Sequence, residues 1–163
     1  MKDRRVLALQ RVLSRRERLG RKLETALASL RAESAELDTD LKQRQAAVEA
    51  QIAETKRQDG KIDAMIGGKS FRADQFLMLR EHRTVLSDRK AMLQAEADRS
   101  AAALDAKLAD VRKQSAQILQ NRARIDVYDS RRKTLISAIE TAIEDAQDEE
   151  SSENRRPNTG PGF

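Results

Sequence analysis

The chain has 163 residues, a formal net charge of +5, 36% charged residues and four aromatics, Phe71, Phe76, Tyr128 and Phe163. Large aromatics supply much of a globular core, and sheet folds need Gly- or Pro-bearing turns at short intervals. Six Gly and two Pro, both Pro in the last seven residues, therefore exclude a β-containing domain and leave long paired helices, whose Ala, Glu, Lys, Leu and Arg content this composition matches.

Cysteine is absent, so a disulfide framework or thiolate metal site is excluded and a reducing, cytosolic setting is suited. No apolar run approaches the roughly 18 residues that span a bilayer. The opening MKDRRVLALQRVLSRRERLG is basic, with its apolar residues spaced between arginines. It lacks the continuous apolar stretch of a secretory signal. A mitochondrial presequence is Arg-rich too, but this segment shares its helical pattern with the residues after it.

The first element is expected over residues 3–66. With Val6 at position a and Leu9 at d, alternating steps of four and three reach Met65, and eleven of the eighteen positions are apolar. Such 3.5-residue spacing marks a helix with a narrow seam made for another helix. The interruptions cluster at Arg16/Gly20 and at Gln51–Gln58, where Ile52 is displaced from the seam. The packing is expected to loosen there.

A turn comes next at 67–70, Gly67-Gly68-Lys69-Ser70. Adjacent glycines are strong breakers, with Gly67 placed as a C′ residue. Ser70 is a suitable N-cap, and Asp74 puts an acid in the next first turn. The second helix is expected over 71–147. Its stripe runs from Phe76 to Ala146 with fourteen of twenty-one positions apolar. At 1.5 Å per residue the helices would measure roughly 95 and 115 Å.

A four-residue turn forces the two helices antiparallel. The fold expected is all-α: a two-helix antiparallel coiled-coil hairpin over 1–147, in which burial of both stripes supplies most of the stability. A third layer and an interior pocket for a small molecule are not expected. Helix two should overhang helix one by about three turns. Residues 148–163, polar and without periodicity, are expected to be a disordered tail.

Charge is segregated. Residues 1–31 hold ten bases and three acids. The facing part of helix two adds Arg122, Arg124, Arg131, Arg132 and Lys133, while 140–153 carry seven acids and no base. The basic end is either a solvated coiled-coil face or a surface for an acidic partner. Nucleic acid is disfavoured, because aromatics do not interleave with the arginines. A basic membrane-surface helix is disfavoured, because the apolar stripe is committed to a partner helix.

Chemistry-bearing motifs are weak. Gly68-Lys69-Ser70 resembles the end of a phosphate loop, but Asp63 stands where that motif needs Gly, and a helix precedes it instead of a strand. A single histidine, His82, forms no metal cluster. Carboxylate pairs such as Glu33/Glu36 lie on exposed faces. The expectation is therefore no enzyme, no cofactor and no metal. At the turn, Phe71, Phe76, Met78 and His82 gather apolar character. With Phe76 in the seam, Phe71, Met78 and His82 are expected to share a free face, as in a protein contact. Phe71 stapling the turn is the alternative.

The basic first helix, the central glycine turn, the longer second helix and the leucine-rich stretch DQFLMLREHRTVL together resemble the FliJ/YscO family of type III secretion and flagellar export proteins. The resemblance implies a central stalk, similar to the γ subunit of rotary ATPases, whose terminal end enters a hexameric export ATPase. It implies that Arg4, Arg5, Arg11, Arg15, Arg16, Arg131 and Arg132 meet acidic pore loops. Phe71, Phe76, Met78 and His82 would meet the cytoplasmic ring of the export gate. Secretion chaperones are further implied partners, and the cytoplasmic face of a bacterial inner membrane the implied location. A self-associating scaffold or chaperone-binding adaptor, a V/A-type stalk subunit and a prefoldin-like chaperone are alternatives. The last two are disfavoured by the four-residue head and the lack of β-hairpins.

Overall fold

The structure, a computed structural model, describes residues 3–154. Two helices account for nearly all of them: α1, Arg4–Ile66, and α2, Ala73–Asn154. Cross-helix pairs show the direction. Going down α1, Asp59, Arg44 and Glu33 meet Arg83, Glu96 and Lys107, so numbers fall on one helix as they rise on the other. The fold is an antiparallel helical hairpin. The described residues fall into two units, one of residues 26–114 and one of 3–25 with 115–154.

Asp3 starts α1. Its carboxylate accepts from the Arg5 N–H at 2.7 Å and its carbonyl accepts from the Leu7 N–H at 3.1 Å, which is N-capping. The other end differs from expectation. Among the described residues no glycine has a positive φ, so Gly67 is not a left-handed cap. Gly67 N–H donates to Asp63 and Gly68 N–H to Met65, so the last turn tightens from four-residue to three-residue bonds. Nor is Ser70 the cap of α2. The first helical bond, Phe76 N–H to the Arg72 carbonyl at 3.0 Å, makes Arg72 the N-cap, and Asp74 stands in the first turn.

α2 also runs on through residues 148–154, where the sequence suggests the tail. Asp, Glu and Ser permit helix, and the first residue that forbids it is Pro157. Residues 155–163 of the expected tail lie outside the described residues.

In the turn-bearing unit, the seam is sealed by polar groups as much as by Val48, Leu86 and Ala97. Gln51, Thr55 and Gln58, the expected loose stretch, are among the most buried side chains, with Gln58 only 2% exposed. The cause is reach. Gln51 Nε2 donates to the Leu86 carbonyl at 3.2 Å and Gln58 Nε2 to the Leu79 carbonyl at 3.0 Å. Buried amides so satisfied cost little. Further along, Asp40 Oδ2 accepts from Arg44 Nε and Ser100 Oγ, both at 2.8 Å, and Arg44 Nη1 reaches Glu96 at 3.2 Å. The Arg44 hydrogen bond, with that from Ser100, holds the Asp40 carboxyl below the ordinary carboxylate range against partial burial. Lys107 does the same for Glu33.

The terminal unit is built on Leu13 and Ile118 and on a second interruption that proves tight. Asn121 Nδ2 donates to the Arg16 carbonyl at 3.0 Å. It sits so close to Gly20 that a Cβ there would lie 3.2 Å from that nitrogen. A Cβ on Gly60 would meet nothing within 4 Å. Gly60→Ala is therefore expected to stabilise the hairpin in urea by about 0.5–1 kcal/mol through helix propensity. Gly20→Ala should show no such gain until Asn121→Ala is added, a coupling of about 1 kcal/mol.

Candidate protein-interaction site

The terminal unit carries the first candidate surface. Arg16 and Tyr128 face each other's helix from seam positions and are half-buried. They separate two shallow grooves. One, about 850 Å³, is lined by Val12, Arg15, Arg16, Arg18, Leu19, Lys22 and Tyr128. The other, about 390 Å³, is lined by Arg16, Gln120, Ala123, Arg124, Val127, Tyr128 and Arg131. Apolar and cationic side chains line both, and no acid lines either. Such walls focus a positive field on whatever enters.

The arginines singled out by sequence divide. Arg15, Arg16 and Arg131 come together around Tyr128, while Arg4, Arg5 and Arg11 are not among the groove residues. Arg4, Arg5, Arg11, Arg15 and Arg131 are exposed, and among the described residues none has an ion-pair partner. Arg132 is different. It is half-buried and donates to Asp129 Oδ1 at 2.7 Å, and Lys133 reaches the other oxygen at 2.8 Å. The hydrogen bond from Lys133, joined by the charges of Lys133 and Arg132, holds the Asp129 carboxyl below its ordinary range despite partial burial. Arg132 is thus spent on α2 itself. Arg18, Lys22, Arg124 and Tyr128 complete the grooves and were not picked out as site residues by the sequence. The signal was the tyrosine at a seam position amid the arginines.

The turn carries the second surface, and the four expected residues split there. Phe71 precedes α2, so the seven-residue step to Met78 does not place it on that helix face. Its ring packs on Phe76, centroids 5.3 Å apart and tilted by 52°, with the Arg80 guanidinium 5.9 Å from the Phe76 centroid. Phe71 thus staples the turn. Met78 and His82 instead line a separate groove with Gln58, Lys61, Met65, Gln75 and Leu79. Among the described residues no cluster of His, Asp or Glu is suited to a metal ion, and no helix is long and apolar enough to cross a membrane.

Comparison with known proteins adds the family. Residues 4–155 match the family model described as bacterial type III secretion protein (HrpB7). The chain belongs to the HrpB7 family. No curated protein matches it. The crystal structure of the type III secretion protein YscO from Vibrio parahaemolyticus is similar in fold, with a TM-score of 0.71 at 14% identity over 93% of this chain and 94% of that one. The resemblance to FliJ/YscO proteins holds, and this HrpB7-family chain is a type III secretion protein. Its two candidate surfaces lie in different units: cationic side chains and Tyr128 line one, and Met78 and His82 line the other.

Proposed function

We propose that this chain is the central stalk of a type III export ATPase. Its terminal unit would enter the pore of the hexamer, and its turn would meet the cytoplasmic ring of the export gate at the inner face of the membrane. The observation that carries the reading is the set of exposed arginines, Arg4, Arg5, Arg11, Arg15 and Arg131, none with an ion-pair partner among the described residues, of which Arg15 and Arg131 line the grooves beside Tyr128. A pore lined by acidic loops is the complement of that surface. A stalk works by position and charge, so the reading asks for no cofactor, no nucleic acid and no catalysis by this chain.

The FliJ/YscO resemblance supports the assignment of both ends, with Phe71, Phe76, Met78 and His82 at the gate. Purified chain is expected to raise hydrolysis by the export ATPase of the same organism several-fold. Met78→Ala should weaken binding to the gate ring and leave that stimulation intact. Hydrolysis unmoved by the wild-type chain would end the stalk reading. One observation favours a chaperone-binding role beside it. Met78, Val85 and Met92 stand seven residues apart on the outside of α2, 69%, 61% and 58% exposed, an apolar row available to another helix.

A further inference from the structure

The stalk reading leaves one segment of the terminal unit without a role. From residue 140 to Asn154 every residue of α2 is exposed, because α1 begins only at Arg4 and nothing of it lies alongside. The segment holds seven carboxylates and no cation, and among the described residues none of the seven has an ion-pair partner. The last turn contains no base, so Glu150 and Glu153 sit at the negative end of the helix dipole. A helix of this length gains little from propensity alone. It nevertheless carries an apolar row. Ile136, Ile139, Ile143 and Ala146 succeed one another at steps of three, four and three on one face, with Ile143 52% exposed. Beyond Ala146 the same face turns acidic at Glu149, Glu150 and Glu153.

A face that is apolar and then acidic wants a surface that offers apolar and cationic side chains together. The groove lined by Val12, Leu19 and Tyr128 and by Arg15, Arg16, Arg18 and Lys22 is such a surface. A chain cannot fill its own groove this way, since Tyr128 and Ile143 lie on one continuous helix, about 22 Å apart at 1.5 Å per residue.

We propose that the occupant is a second copy: the 140–154 segment of each molecule lies in the Tyr128 groove of the other, in a two-fold exchange. The two α2 helices then run antiparallel about a centre near Ser137, and both contacts are made at once, as an isologous interface requires. The isoleucine row covers the apolar side chains, and the acids meet the cations. The pair hides the cations that the stalk reading assigns to the ATPase, so it is a stored form that assembly must open. The contact is ionic in part and weakens with salt.

Sedimentation velocity of the full chain tests this. The wild type is expected as a dimer at about 50 mM salt and a monomer at about 500 mM. Asp145→Lys/Glu149→Lys/Glu150→Lys/Glu153→Lys turns the segment basic, and Arg15→Glu/Arg18→Glu/Lys22→Glu turns the groove acidic. Each variant alone should be monomeric at low salt, with helical circular dichroism retained. An equimolar mixture of the two should sediment as a dimer, because each segment then faces a groove of opposite sign. A wild type that is monomeric at low salt overturns the exchange, as does a mixture that stays monomeric or either variant dimerising alone. None of these outcomes bears on ATPase stimulation, so the stalk reading stands or falls separately.

Discussion

Reversing Arg11, Arg15 and Arg131 to Glu should reduce stimulation of the export ATPase to background while the far-ultraviolet circular dichroism remains helical. All three side chains are exposed and have no ion-pair partner among the described residues, so reversal leaves the seam intact. The change reverses the local field instead, from attraction to repulsion against an acidic pore, and like-charge contact at an interface costs several kcal/mol. Stimulation by the wild type should also fall as salt rises, since exposed charges are screened over about 10 Å at 0.1 M. Arg132→Ala serves as the contrast. That guanidinium holds Asp129, so its loss should lower the melting temperature before it alters pore contact. Full stimulation by the triple reversal would remove pore insertion from consideration.

The seam is legible because a 3.5-residue period has one structural meaning. Every α1 position of the stripe, from Val6 to Met65, is buried or half-buried. On α2 the stripe departs from burial at Lys90, and again at Ala142 and Ala146, which stand past the start of α1. Helix ends are less legible. Two glycines announce a stop, but the sequence does not say whether the chain leaves through a left-handed residue or a tightened turn. At the other end, acidic polar sequence suggests disorder, yet it contains no helix breaker until Pro157.

The interruptions mislead for a physical reason. A count of apolar residues scores Gln51, Gln58, Gly20 and Asn121 as defects. It cannot see that a glutamine spans the seam to a carbonyl of the opposite helix, or that a glycine makes room for an asparagine. The same blindness applies to the candidate site. Arg18, Lys22 and Arg124 lie off the stripe, so only the pairing of α1 with α2 brings them to Tyr128. Phe71 misleads the other way, because a helical phase is assigned to it although it precedes the helix.

Replacing Gln51, Gln58 and Asn121 together by Leu should raise the melting temperature by several degrees and make the chain associate. The three acceptors, the carbonyls of Leu86, Leu79 and Arg16, lie within helices and already accept their own i+4 N–H, so losing the amides orphans nothing. Asn121 Oδ1 is buried without a partner among the described residues, a cost of about 1–3 kcal/mol that Leu removes. Apolar replacement of buried polar groups is often stabilising by about 1–4 kcal/mol, and buried polar residues in coiled coils fix register. With that constraint gone, an all-apolar seam accepts shifted pairings and other copies, which light scattering should detect as salt-resistant oligomers, unlike the salt-sensitive exchange pair. The alanine triple separates size from polarity. It also removes the amides, but it leaves cavities and should melt lower than wild type. A leucine triple that melts lower as well would mean that the amides hold the helices together rather than set which residues face each other.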